Sequence, residues 1–337
     1  MLNLGKWAHR AGRGVFAAAD VPTFAGISGG RTSGMMAALL DPKVRLLFEN
    51  TGREWPRTYD FLHELDQALG GRITWLEWRP PATKGARPRE FQFAVVNYKT
   101  ADRSGGPFDG FMAALADYRI AKGETPVAPW ARSRMCTAYM KRLVQEHYIT
   151  SFGIDTYEQH VGLRFDEPDR VNKLKVAETQ RKSFRCPLSD AGITKNDVML
   201  FWKQQAFDLN IEEYQGNCSA CFLKDQSDIA RVLGEPEADA KWWINLESKY
   251  DNFGGVNFPG YANLLNERPL RLRAEQMLRA GADRATVCAD LAVSALMVNI
   301  DEYRLKLVVA QEARRVTDGV QTISCACEST QVADFEQ

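Results

Sequence analysis

The chain has 337 residues, enough to bury a substantial core as one large domain or as a domain with a smaller appendage. Hydrophobic residues make up 45% and charged residues 26%, and 43 Lys plus Arg balance 43 Asp plus Glu, so net charge gives no sign of a polyanionic partner. No apolar run approaches the roughly 20 residues of a spanning helix, and the stretch around Lys6, His9, Arg10 and Arg13 lacks the apolar core and cleavage site of a secretory signal. The expected place is therefore the cytoplasm, with no membrane partner.

To about Ala19 no hydrophobic period is visible. Pro22 to Ile27 then reads as a short buried strand, Gly34 to Leu40 as a helix, and Val44 to Phe48 as a second strand. Trp55 to Leu69 has helical spacing and Ile73 to Trp78 reads as a third strand. Strands alternating with helices predict a parallel sheet covered on both faces. Pro80 to Gly106 is rich in Pro, Gly and Arg and reads as a long loop. Phe108 to Ile120, Cys136 to Ile149 and Lys195 to Gln205 read as helices, and Gln159 to Arg164 as a strand. Beyond about Asp225 strand signals stop. Ala240 to Lys249, Pro269 to Ala280 and Arg284 to Arg315 predict a helical C-terminal region, giving a division into 1–225 and 226–337.

Between the first strand and the first long helix lies Ser28-Gly29-Gly30-Arg31-Thr32-Ser33-Gly34. Glycines let the backbone turn tightly and approach an anion, and the helix start offers free N–H groups at a positive dipole end. Ser28, Thr32 and Ser33 carry hydroxyl donors, and Arg31 is a candidate phosphate partner. The spacing is neither that of a Walker loop nor that of the dinucleotide fingerprint. A glycine-rich turn without a ligand is the alternative.

Seven cysteines in a chain of this expected location argue against a disulfide framework. Cys218 and Cys221 form a Cys-x-x-Cys, which suits a metal, an iron–sulfur cluster or a redox pair. A structural zinc needs two further ligands, and no second such pair occurs. Cys136 and Cys186 are the other candidates; Cys288, in an apolar helical stretch, reads as core. Cys325 and Cys327 stand in a polar tail, as mobile nucleophiles or incidental thiols.

Several motifs occur in order: the loop; Phe48-Glu49-Asn50-Thr51-Gly52-Arg53-Glu54 with Thr58 and Phe61; Cys136-Thr137 with Lys141; Gly162-Leu163-Arg164 with Asp166, Glu167 and Arg170; Pro187 to Thr194; and Gly216 to Lys224. Together, over roughly residues 22 to 225, they resemble the phosphoadenosine phosphosulfate (PAPS) reductase family. That family lies within the adenine nucleotide alpha-hydrolase superfamily, and the pieces are similar to its phage- and bacteria-encoded PAPS reductase-like branch. The resemblance implies an α/β fold with a mainly parallel five-stranded sheet, helices on both faces, and an adenine nucleotide across the carboxyl ends of its strands. The loop Ser28 to Ser33 would hold phosphates of ATP or PAPS. Asn50-Thr51-Gly52 would lie near ribose or base, and Gly162, Arg164 and Arg170 near the phosphate or sulfate end. The superfamily's ATP pyrophosphatases usually carry Asp where Thr32 stands here, so magnesium, if used, would fall to Asp166 and Glu167.

By the same resemblance, a 4Fe-4S cluster is expected on Cys136, Cys186, Cys218 and Cys221, with zinc on those residues as its rival. The implied reaction is ATP-dependent: adenylation of an acceptor, possibly a nucleic acid, and then thiolation from a sulfur donor. The alternative is a sulfonucleotide reductase with Cys325 or Cys327 as nucleophile and a thioredoxin-like reductant. A third reading is a nucleotide-binding or interaction protein without turnover. Gly281 to Ser294 has the rhythm of a helix-turn-helix, but the next helix starts with Asp301 and Glu302, which favours a packing hairpin over a DNA reader. Basic residues gather at Arg132, Arg134, Lys141 and Arg142 and from Lys173 to Arg185, as a solvated face or a polynucleotide contact.

Overall fold

The computed structural model describes residues 2–10, 16, 20–125, 134–250 and 258–318. Cys325 and Cys327 lie outside the described residues, as does Arg132. The described chain falls into two compact units, the first ending at Ile211 and the second starting at Glu212.

The first unit opens with α1 (Gly5–Arg10), followed by β1 (Thr23–Gly26), α2 (Arg31–Leu39), β2 (Arg45–Asn50), α3 (Pro56–Ala68) and β3 (Ile73–Arg79). Pro56 opens α3 at a position where a missing N–H costs no helical bond. Next come β4 (Gln92–Val96), α4 (Gly106–Ala121), a π-helical segment Cys136–Arg142 and α5 (Leu143–Thr150). The unit continues through β5 (Tyr157–His160), α6 (Pro168–Val176), β6 (Lys182–Arg185), α7 (Pro187–Asp190) and α8 (Lys195–Trp202). A capping box of Thr194 and Asp197 fixes the start of α8.

These strands form one six-stranded sheet in the order β4-β3-β2-β1-β5-β6. All neighbours are parallel except β3 and β4. The α/β class and mainly parallel sheet agree with the sequence expectation. The sixth strand does not: the region read as a loop contains β4, an antiparallel edge strand. Its residues are mostly half-buried or exposed, so Gln92-Phe93-Ala94-Val95-Val96 lacks the continuous apolar run of a central strand. By contrast, five of the six residues of β2 are buried, and the core around it gathers Phe48, Trp75, Tyr59 and Phe61.

The order of the sheet positions the site. From β1 the chain builds outward through β2 and β3, and it returns to the other side of β1 for β5 and β6. The carboxyl ends of β1 and β5 therefore flank a topological switch point, where open parallel sheets leave a crevice for ligands.

The second unit contains α9 (Gln226–Val232), α10 (Ala240–Lys249), α11 (Tyr261–Arg279), α12 (Arg284–Met297) and α13 (Glu302–Asp318). Leu270, Ala274, Val287, Leu291, Ala295, Ile300, Leu305 and Val309 form a core shared by the last three helices. Asp283 caps α12 by accepting from the Thr286 N–H. That helix runs unbroken through Ala292-Val293-Ser294, where a helix-turn-helix would turn, so Arg284 to Arg315 is a packed hairpin. The chain reverses only at 298–301, with Asn299 in the left-handed region. No described helix is long and apolar enough to cross a membrane.

Candidate functional site

β1 ends at Gly26, and the Ile27 N–H still reaches the Leu47 carbonyl of β2 at 2.7 Å. The chain then turns through Ser28-Gly29-Gly30 into α2. Gly29 has φ +80°, and a Cβ there would stand 2.5 Å from Cγ2 of Thr58 on α3. Only glycine satisfies both demands. Gly30 caps α2 without a side chain, so the first turn presents its N–H groups to whatever lies in front of it.

The hydroxyls around this turn divide their work. Ser33, buried, accepts from the Ser28 N–H at 3.1 Å and donates to the Gly30 carbonyl at 3.1 Å. Its oxygen lies 3.0 Å from Ser28 Oγ. Ser33 therefore holds the loop in shape, while Ser28 and Thr32 remain half-buried at its rim. Arg31 turns to Asp208, with which it makes two bonds at 2.7 and 2.8 Å. Its guanidinium is thus held by a carboxylate, and what it offers an anion at the loop is its backbone N–H.

The loop after β5 closes the other side. A Cβ on Gly162 would lie 3.1 Å from Ser33 Cα, so this glycine lets the two loops touch. Arg164 donates to Thr32 Oγ1 at 3.3 Å and to Asp166 Oδ1 at 2.9 Å, and lies 3.3 Å from a Glu167 oxygen. A guanidinium beside a helix N-terminus puts positive charge against the positive dipole end. Asp166 and Glu167 stand against that guanidinium and offset its charge. Arg170 pairs with Glu167. Asp166 and Glu167, expected as magnesium ligands, thus have their charge met by Arg164 and Arg170.

Asn50-Thr51-Gly52 closes on itself. Asn50, fully buried, donates to Glu77 Oε1 and the Asp102 carbonyl, both at 2.7 Å, and accepts from the Gly52 N–H and Tyr59 hydroxyl. Thr51 donates to Glu54 at 2.8 Å. Gly52, at φ +80°, would clash with Asp102 and Gly105 if it carried a Cβ. These residues brace the carboxyl end of β2, and the Asn50 amide has all its bonding capacity taken inside the protein.

The cysteines separate. Cys136 starts the π-helical segment, half-buried; Cys186 is buried among Val161, Leu163, Val171 and Leu174. Both lie in the first unit, whereas Cys218 and Cys221 lie in the second. Among the described residues no group of three or more His, Cys, Asp or Glu side chains could hold a metal ion. The four thiolates a cubane cluster needs, or four zinc ligands, are not gathered within either unit, because each contributes at most a pair from the expected set. The apolar surroundings of Cys186 give a simpler reason for its burial.

Beside the loop is a cleft that the sequence reading missed. Its lining runs from Ser28 along β1 and β5, under Lys141, Arg142 and Gln145, to Lys182 and Phe184 of β6, with a cavity of ≈ 70 Å³. Gln159 donates to Gln145 at 2.5 Å across it. His160 is 0% exposed, with Nε2 2.7 Å from Glu158. Burial holds its imidazole below the ordinary value, against the pull of Glu158. Lys182 lies over the rings of Phe184 and Tyr157. Burial first, and Arg142 second, push its ammonium down to about 8, against Glu146 and Glu49. Of the cleft's lining the motifs include Ser28, Glu49 and Lys141. Lys182 was hidden in what read as a basic face, and only the strand β6 turns it inward.

No family model matches the chain. It is similar to the "Uncharacterized nin region protein ORF290" of Escherichia phage lambda, with 29% identity over 282 residues, covering 75% of this chain and 88% of that one. Among solved structures it aligns with a phosphoadenylyl-sulfate (PAPS) reductase from Candida auris in a phosphate complex. That match has 12% identity and a TM-score of 0.34, and covers 54% of this chain and 72% of the other.

Proposed function

We propose that this protein binds an adenine nucleotide by its phosphates at Ser28 to Ser33 and uses ATP to activate an acceptor for sulfur transfer. The observation that carries the binding is the uncapped N-terminus of α2, with Arg164 beside Thr32, at the switch point of the sheet. The free backbone N–H groups of that helix start are donors from which a phosphate oxygen can accept at the positive dipole end. The choice of adenine and of sulfur transfer rests on the ordered motifs. An acceptor oxygen would attack the α-phosphorus, the α–β bridge would break and pyrophosphate would leave. Sulfide from a sulfur donor would then attack the activated position, the bond to the AMP oxygen would break, and AMP would leave the thiolated acceptor.

Calorimetric titration of the full chain with ATP and with PAPS, alongside assays of pyrophosphate and sulfite release, tests this. ATP binding with pyrophosphate release in the presence of a nucleic-acid acceptor is the expected result. Gly29→Val removes binding, because its side chain cannot adopt the loop's backbone. Sulfite release from PAPS, lost on removal of Cys325 and Cys327, instead establishes the reductase reading. A wild-type chain that binds neither nucleotide ends the proposal.

A further inference from the structure

The register of the sheet decides which side chains enter the cleft beside the loop. Gln159 of β5 stands opposite Phe184 of β6 on one side and Phe24 of β1 on the other. Side chains alternate along a strand, so Gly26 shares the face of Gln159, while His160 and Arg185 leave the other face. On this face Gln159 meets Gln145 of α5, and the two residues are only 8% and 6% exposed. Their mutual bond uses an N–H of Gln159 and the oxygen of Gln145. Among the described residues no further hydrogen bond reaches the Gln145 amide nitrogen or the Gln159 amide oxygen. One donor and one acceptor thus remain side by side in a buried place, where polar groups normally have partners. Turning both amides over exchanges the two roles and still leaves one of each. Gly26 makes room for the pair: a Cβ there would stand 3.1 Å from Gln145 Nε2 and 3.8 Å from Gln159 Nε2.

We propose that Gln145 and Gln159 select the base of the bound nucleotide: Gln159 Oε1 accepts from the 6-amino group of adenine, and Gln145 Nε2 donates to the ring nitrogen beside it. The inference rests on the nucleotide-binding reading for its ligand, and it supplies a physical reason for adenine that the phosphate loop alone does not. Adenine presents an amino donor next to a ring-nitrogen acceptor, an edge that glutamine amides match. Asn50, the residue expected near the base, has its amide already taken inside the protein. The lining suits a neutral flat ring. Phe184, opposite Gln159, packs with Val161 and Leu174 into an apolar wall. The charged groups of the lining include both signs, Glu49 as well as Lys141, Arg142 and Lys182, so an uncharged base requires no change in their protonation. The cavity of ≈ 70 Å³, at roughly 10–15 Å³ for each ordered water, equals about five waters and admits the amino edge of a purine. Ser28 belongs to both the cleft and the loop, so a base held here lies next to the phosphate site.

The test titrates the full chain by calorimetry with adenosine, which carries the base and no phosphate, and with purine riboside, which lacks the 6-amino group. Wild type is expected to prefer adenosine by about tenfold or more. Gln145→Leu and Gln159→Leu are expected to lose that preference and to bind the two nucleosides equally. A merely structural role would weaken both nucleosides alike and keep the preference, which overturns the proposal. Equal affinities in wild type, or no adenosine binding at millimolar concentration, overturn it as well, whatever the phosphate loop does. Gly29→Ala is expected to weaken AMP binding while leaving adenosine affinity within about twofold of wild type. AMP that binds no tighter than adenosine to wild type, with the adenosine preference intact, removes the loop reading and leaves the base assignment standing.

Discussion

Arg31 shows how a residue in a phosphate-type loop can serve the loop without serving the ligand. Its bidentate pair with Asp208 is partly buried, and Trp202 donates to its carbonyl at 2.7 Å, so its two ends are tied to the end of α8 and to the segment that follows it. A charge-assisted pair of this kind contributes ~1–3 kcal/mol. Arg31→Met and Asp208→Asn are each expected to lower unfolding free energy by about that amount, and the double variant by little more than either. Denaturant titration checks the cycle, and additive losses would show that the pair is not the source. Nucleotide affinity is expected to fall less than threefold in Arg31→Met. Gly29→Ala behaves differently, because it combines left-handed strain with a 2.5 Å contact to Thr58. A cost of ~1–3 kcal/mol and a nucleotide affinity loss of at least tenfold are expected together. The need for glycine was legible from the sequence; the partner of Arg31 was not, since Asp208 lies 177 positions away.

At the scale of elements, hydrophobic period located what was locally encoded. β3, α3 and α10 begin and end within a few residues of where their apolar spacing placed them. β4 and β6 escaped because edge strands have one partner and little burial: Lys182-Ser183-Phe184-Arg185 has no continuous apolar signal. The same limit hid Lys182, since only the register of β6 with β5 sets it beside Tyr157. In the second unit, charge inside the helices was equally illegible. Arg271 is 2% exposed and bonds Glu267 of its own helix, Ser227 of α9 and Gln311 of α13. It also lies 3.6 Å from Glu312, and Glu267 in turn holds Arg304 at 2.7 Å. Removing one member leaves a buried carboxylate uncompensated. Arg271→Met is therefore expected to destabilise by ~3–5 kcal/mol, whereas loss of the exposed pair Lys306–Glu302 is expected to leave stability essentially unchanged. Chemical denaturation of Arg271→Met and Lys306→Ala separates the two, and similar losses would sink the network reading.

Across the whole molecule the charges cancel, 43 against 43, yet they are not evenly placed. The second unit buries arginines with their carboxylates, while the cleft of the first brings Lys141, Arg142 and Lys182 to one cavity with the single carboxylate of Glu49. Such a lysine makes folding depend on pH in a definite direction. In the folded chain Lys182 is pushed down to about 8 from a reference of 10.5. Between those values the unfolded chain binds the extra proton, so this group makes stability rise as pH rises from about 8 to about 10.5. Below that window its burial cost is present in full. Lys182→Met is expected to melt higher than wild type at pH 7, with the difference shrinking to nothing by about pH 10.5. A wild-type protein whose stability is flat from pH 8 to 10.5 would mean that Lys182 faces solvent and that the charge of the cleft is ordinary surface charge.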